Sequence, residues 1–202
     1  MPQYFLEHTA PTQLYIWHIT ENREQLKSLL PYEKTVDAEK YASITHQKQY
    51  LAKQILLHRN SLDKQFRYLS SGKPVLNDGQ YLSISHSDNF VIIAVSSQPI
   101  GIDIEQPNPK LITISSRFKH PDDELPALTE EPVQLQYLWT AKESIYKLAG
   151  VSGLSFKNDI RLLTYNQFNT SGTALLKNRQ KIKLFFNKLE PDFMLCMAFF
   201  SK

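Results

Sequence analysis

Three short stretches carry residue types that can do chemistry. Asp103 and Glu105 alternate with Ile102 and Ile104 in Gly101-Ile102-Asp103-Ile104-Glu105. Successive side chains of an extended strand point to opposite faces, so the isoleucines share one face and the carboxylates the other. Two unpartnered carboxylates about 7 Å apart repel by roughly 2 kcal/mol at an effective dielectric of about 20. Later, in Trp139-Thr140-Ala141-Lys142-Glu143-Ser144-Ile145-Tyr146-Lys147, a helical pattern puts Glu143 and Lys147 one above the other on one face. Upstream, Ser83-Ile84-Ser85-His86-Ser87 ends a strand pattern with hydroxyls and an imidazole, a compact set of donors for phosphate oxygens. Taken singly each stretch is ordinary. The first reads as an amphipathic strand with solvated acids, and the third as a structural histidine. The second reads as a surface ion pair worth a few tenths of a kcal/mol at most.

The elements that must position these residues follow from patterning. Residues 3–6 and 14–19 read as strands, with Tyr15 and Trp17 entering a first core. Glu21 to Leu30 reads as a short helix closed by Pro31. From Pro31 to Leu62 the chain is helical, with Ile44, Leu51, Ile55 and Leu62 as one apolar stripe. His46 and His58 in this region lack company at metal-ligand spacing and read as surface histidines. Pro74 pushes Lys73 into an extended conformation, so Gly72-Lys73-Pro74 reads as a short edge segment whose backbone groups suit a nucleotide base. After a turn at Asn77-Asp78-Gly79, Tyr81 to His86 and Phe90 to Ser96 form a hairpin across Ser87-Asp88-Asn89.

Pro107-Asn108-Pro109 breaks the chain near its middle. A short helix with Ile114 and Phe118 follows, and then a longer one runs to Ala149, with Thr129 as its cap and Pro132 in its first turn. Leu138, Ala141, Ile145 and Leu148 supply its buried stripe and Gly150 its stop. Alternating runs at 160–164, 173–177, 181–186 and 193–200 read as antiparallel strands. Their turns fall at Asn169-Thr170-Ser171-Gly172 and Asn178-Arg179-Gln180. Each half is thus helix plus a small antiparallel sheet, an α+β pattern with no repeat visible in the letters.

Composition bounds the function. The 202 residues are 42% hydrophobic and 21% charged, the balance of a soluble globular protein of one domain or two small ones. The longest apolar runs, such as Phe90 to Val95, are too short to span a bilayer. Met1-Pro2-Gln3-Tyr4-Phe5 lacks the basic and long apolar regions of a signal peptide. The single cysteine, Cys196, excludes an internal disulfide, fits a reducing cytoplasm and reads as a small core residue. A net charge of +3 permits acidic partners but falls short of a dedicated nucleic-acid binder. A cytoplasmic location is expected, with no membrane and no nucleic acid as partner.

Four pieces stand in order between residues 72 and 147: Gly72-Lys73-Pro74-Val75-Leu76, the Ser83–Ser87 run, Gly101–Glu105, and Trp139–Lys147. Together they resemble the phosphopantetheinyl transferases of the surfactin-synthetase-activating type, in the holo-carrier-protein synthase superfamily. The resemblance implies an α+β, pseudo-twofold pair of similar subdomains with the active site in the cleft between them. The division is placed after residue 106, leaving the strand with Asp103 at the end of the first subdomain and the Trp139–Lys147 helix in the second, residues 107–202. It implies transfer of the 4'-phosphopantetheine group from coenzyme A to a serine of an acidic acyl or peptidyl carrier protein, with release of adenosine 3',5'-bisphosphate.

That chemistry needs charge neutralisation on the pyrophosphate, an aligned nucleophile and a proton acceptor. On the matching positions the resemblance implies Asp103, Glu105 and Glu143 around one Mg²⁺, with Mn²⁺ as an alternative. Glu143 also accepts the serine proton, directly or through a metal-bound water. Lys147 and His86, with Ser85 beside it, face the pyrophosphate, and Lys142 is a lesser candidate for the same task. Gly72, Lys73 and Pro74 line the adenosine end. Where the family usually offers an arginine for the ribose phosphate, this chain has Lys48 and Gln49, with Lys34 and Lys40 upstream. The segment from Lys110 to Phe118 is a candidate docking element through Leu111, Ile112, Ile114, Arg117 and Lys119, a packing helix being the alternative. A chain holding both halves is expected to be a monomer.

Two rivals belong to other classes. A metal-dependent nuclease would also use an Asp-x-Glu pair and a downstream lysine. It lacks a basic run here and leaves the Trp139–Lys147 motif unexplained. A non-catalytic module binding coenzyme A or a carrier protein would have no need of all three carboxylates.

Overall fold

The computed structural model describes residues 12–63, 66–68, 72–126, 130–166, 170–177, 179–189 and 192–201. The strand expected at 3–6, the cap at Thr129 and the turn residues Asn169 and Asn178 lie outside these. Two compact units divide between Ser97 and Gln98. Each is an α+β assembly around one five-stranded antiparallel sheet.

The first element among the described residues of the first unit is β1 (Thr12–His18), which pairs with that unit's last strand. Helix α1 (Arg23–Lys27) starts at a capping box. The Asn22 side chain accepts from the Gln25 amide, and the Gln25 side chain accepts from the Asn22 amide. The helix therefore starts two residues later than expected, and the Glu21 carboxylate instead accepts from the Trp17 indole. Two short 3₁₀ turns, Tyr32–Lys34 and Val36–Lys40, precede α2 (Ile44–Arg59). Leu51 and Ile55 of the expected stripe are fully buried and Leu62 nearly so, but Ile44, in the first turn of α2, is 58% exposed. His46 and His58 are on the surface as expected.

Strands β2 (Phe66–Tyr68), β3 (Pro74–Leu76), β4 (Tyr81–Ser87) and β5 (Phe90–Ser96) complete the first sheet, in the order β1-β5-β4-β3-β2. The Pro74 segment is therefore not at the edge, as expected, because β2 covers it, with Tyr68 opposite Pro74. Proline is tolerated there as the first residue of a strand.

The second unit repeats the connectivity. Strand β6 (Ile100–Glu105) is followed by α3 (Lys110–Phe118) and α4 (Glu131–Ala149). Then come β7 (Ile160–Asn166), β8 (Ser171–Leu176), β9 (Gln180–Leu189) and β10 (Phe193–Phe200). The sheet order is β6-β10-β9-β8-β7, the same relation of first strand to last as in the first unit. This is where the expected boundary after residue 106 differs. Six consecutive pairings, Glu105 with Met194 through Ile100 with Phe199, bind β6 to β10, so the strand carrying Asp103 is part of the second sheet. Leu138, Ala141, Ile145 and Leu148 of α4 are at most 1% exposed, and Gly150 ends the helix in the left-handed conformation at φ 61°. Each buried leucine or isoleucine contributes about 1.5–3 kcal/mol, so packing, and not an exposed ion pair, fixes this helix. Cys196 lies in the same core and is fully buried. Among the described residues no helix is long and apolar enough to cross a membrane.

Candidate functional site

The chemistry-bearing residues of the second unit sit where α4 lies on β6. Gly101 makes that approach possible. A Cβ on it would overlap the Ser144 carbonyl oxygen and the Leu148 amide nitrogen of α4. Gly101 therefore faces the helix, and strand alternation turns Asp103 and Glu105 to the same side. Ile102 and Ile104, on the opposite face, are fully buried, as the alternation requires. Asp103 is not a solvated acid, being only 3% exposed. The Lys147 ammonium on α4 meets its Oδ1 at 2.7 Å. Glu105 is at the strand's end and half-buried, and the Gln136 side-chain amide donates to its carbonyl oxygen.

Glu143 is one helical turn before Lys147 and half-buried. Burial raises its carboxyl pKa, the Asp103 charge raises it further and Lys147 lowers it, with a net value of about 7. A carboxylate that gains and loses its proton near neutrality suits general-base work. Asp103 and Glu143 also offer hard oxygen donors, and their mutual repulsion is what a divalent cation relieves. That donor pair fits Mg²⁺. The full expected trio is not gathered, however. Among the described residues no three Asp, Glu, His or Cys side chains stand close enough to hold one ion, so Asp103, Glu105 and Glu143 do not form such a group.

Lys142 is placed quite differently from the phosphate contact expected of it. Its side chain is fully buried, as is that of Asp123, whose Oδ2 it meets at 2.7 Å. It also donates to the carbonyls of Phe118, Phe156 and Ile160 at 2.8–2.9 Å. Burial lowers its pKa and the Asp123 partner raises it. Three ammonium protons already serve four acceptors, which leaves no donor for a phosphate. Trp139 of the same motif packs edge-on against Phe118, with ring centroids 5.1 Å apart.

In the first unit, His86 is exposed near the end of β4, and Ser85 beside it is buried. The β4–β5 hairpin turns at Asp88 and Asn89, with Asp88 in the left-handed region at φ 45°. Gln49 of α2 donates to the Asp88 carbonyl at 2.8 Å, so one of the two residues standing near the family's usual arginine braces the histidine hairpin. Lys48 beside it is half-buried. Gly72 has φ 81°, and burial lowers the pKa of Lys73. Of the docking residues, Leu111 is buried in the second core and Ile114 packs against it, whereas Ile112 and Arg117 are exposed.

The residues missed by sequence reading are Asp123, Gln136 and the packing role of Gly101. A glycine inside a strand pattern is a recognisable sign of close backbone approach. Asp123 had no such sign.

Comparison with known proteins agrees with the position of this cluster. Residues 99–197 match the family model of the 4'-phosphopantetheinyl transferase superfamily. The chain is 31% identical over 149 residues to the 4'-phosphopantetheinyl transferase psf-1 of Bacillus pumilus, covering 66% of this chain and 63% of that protein. It is 36% identical over 118 residues to the 4'-phosphopantetheinyl transferase Sfp of Bacillus subtilis (strain 168), covering 54% and 52%. To a 4'-phosphopantetheinyl transferase of Bacillus subtilis it is 41% identical over 90 residues, covering 43% and 39%. The chain thus spans less than two thirds of the length of these curated relatives. Over residues 99–197 and over these relatives, the chain is similar to the 4'-phosphopantetheinyl transferases.

Proposed function

We propose that this protein transfers the 4'-phosphopantetheine group of coenzyme A to a serine of an acyl or peptidyl carrier protein, in a Mg²⁺-dependent reaction that releases adenosine 3',5'-bisphosphate. The observation that carries the proposal is the half-buried Glu143, with a pKa of about 7, beside the Asp103–Lys147 pair and inside the matched segment. The serine Oγ bonds to the β-phosphorus of coenzyme A, and the bond from that phosphorus to the bridging oxygen breaks. The serine proton passes to Glu143, and the electron pair of the broken bond leaves with adenosine bisphosphate.

Asp103 and Glu143 would hold Mg²⁺, with Glu105 joining them, and the ion would neutralise charge on the pyrophosphate. Lys147 turns from Asp103 toward the phosphates, balancing the negative charge that develops there. His86 and Ser85 of the first unit contact the same pyrophosphate, and Gly72, Lys73 and Pro74 line the adenosine. Lys142 is left out of this set, since its protons are committed in the core. The protein acts as a cytoplasmic monomer. Exposed Ile112 and Arg117 on α3 meet an acidic, amphipathic carrier helix.

The test is incubation with coenzyme A, Mg²⁺ and a panel of apo carrier proteins, read as the mass gain of the carrier. Transfer should vanish on chelation and fall by about a hundredfold or more in Asp103→Ala and Glu143→Ala variants that remain folded. Near-full rates in either variant would defeat the metal assignment, and cleavage of plasmid in place of transfer would favour the nuclease.

A further inference from the structure

The Lys142–Asp123 pair is the centre of a knot of chain segments that the proposed mechanism does not use. Lys142 stands on α4 immediately before Glu143. Its ammonium holds the last carbonyl of α3, at Phe118, together with those of Phe156 and Ile160 at the entry to β7. Asp123 completes the knot. Its Oδ2 accepts from the His120 amide at 2.7 Å as well as from Lys142, and its Oδ1 accepts from the Leu162 amide at 2.8 Å. Both side chains are fully buried. The segment after α3, the start of β7 and helix α4 are thereby tied at one point.

Apolar packing alone does not call for such a pair. Burying two charges is costly, and well-packed apolar side chains of similar volume often hold a core equally well. What directed bonds add is position. Leu111 and Phe118 bury the inner face of α3 in the second core, and apolar contact is non-directional, so it does not by itself set a distance along α4. The bond from Lys142 to the Phe118 carbonyl fixes that distance at the helix end. On the outer face of α3 are Ile112 and Arg117, which the proposed function assigns to the carrier protein.

We propose that Lys142 and Asp123 are positioning residues for carrier recognition, setting the place of α3 relative to the helix that bears Glu143 and Lys147. The inference rests on the transferase reading and on α3 as the docking helix. It assigns the motif lysine to partner placement and not to coenzyme A.

The test compares wild type with Lys142→Met, which leaves Asp123 buried without its cation, and with the double variant Lys142→Met/Asp123→Leu, which replaces the pair by apolar groups. The double variant is expected to melt within a few degrees of wild type. Its KM for apo carrier protein should rise by about tenfold, with KM for coenzyme A unchanged within about twofold. A purely structural pair would give a double variant with wild-type KM for both substrates, and this result overturns the proposal. So does a parallel rise in both constants. Amide hydrogen exchange of residues 110–118 is read in the same proteins without any turnover. Faster exchange in the double variant supports the knot, and unchanged exchange sinks it. If wild type transfers to no carrier, the transferase reading fails while the exchange result still decides whether the pair places α3.

Discussion

The two units are built on one connectivity and filled with different chemistry. Among the described residues, a first strand in each pairs with the last of four later strands, and two α-helices come between. In the first unit the helix-facing side of β1 carries Tyr15 and Trp17, the latter with the Arg59 guanidinium of α2 5.0 Å above its ring. The corresponding side of β6 carries Gly101, Asp103 and Glu105, and α4 answers with Glu143 and Lys147. Aromatic packing holds helix and strand together in the first unit. In the second, a glycine brings the backbones close enough for the buried Asp103 to meet a lysine. The lesson is that the topology repeats without the site, and that the site carries a stability penalty which its twin avoids.

The sharpest test of that contrast is at the strand position nearest the helix. Gly101→Ala should destabilise the second unit by more than about 4 kcal/mol, because the added carbon meets helix backbone and not a side chain that can turn away. Gln13→Ala, on the same side of β1 as Tyr15 and Trp17, is exposed and should change stability by no more than about 0.5 kcal/mol. Denaturant titrations of both proteins decide it, and similar losses would show that the two strands are not used differently.

A somewhat smaller effect is expected from Glu143. Its folded pKa is raised to about 7, so the stability it contributes is fully present below its ordinary value of 4.5 and is lost as pH rises through about 7. Glu143→Gln removes the ionisable group. The variant should therefore exceed wild type in stability at pH 8 by on the order of 3 kcal/mol, with the advantage shrinking as pH falls and gone below about pH 4.5. A stability difference that does not vary with pH would mean that burial and Asp103 do not act on this carboxyl as described.

The smallest expected effect is on partner recognition. Replacing Ile112 and Arg117 together with alanine should raise KM for the carrier protein by about tenfold and leave that for coenzyme A within about twofold. Ile44→Ala, an apolar change on α2 of the first unit that is more exposed than Ile112, should alter neither. The reverse pattern, with the coenzyme A constant moving and the carrier constant still, would remove α3 from the docking role.

Local patterning was legible in the letters. Period-two alternation in Gly101–Glu105, the 3.6-residue stripe of α4, its Gly150 stop and the hairpin from β4 to β5 each follow from interactions within a few residues. Residue types in order also sufficed to point to the superfamily. What long-range packing decided could not be read that way. The pairing of β6 with β10 moved the domain boundary, because a strand's partner 89 to 99 positions away leaves no trace in its own sequence. The cover that β2 gives Pro74 and the burial of Leu111 are of the same kind.

Lysine shows the limit most clearly. Lys142 and Lys147 stand five positions apart in one motif and read alike as cations for a phosphate. The sequence by itself determined their charge, their shared helix and the company of Glu143. Only the tertiary structure decided that one ammonium lies in the core with every proton committed while the other meets Asp103 at the strand face. The reason is that five residues turn a helix by about 140°, and which side faces a sheet or a core depends on elements far away in the chain.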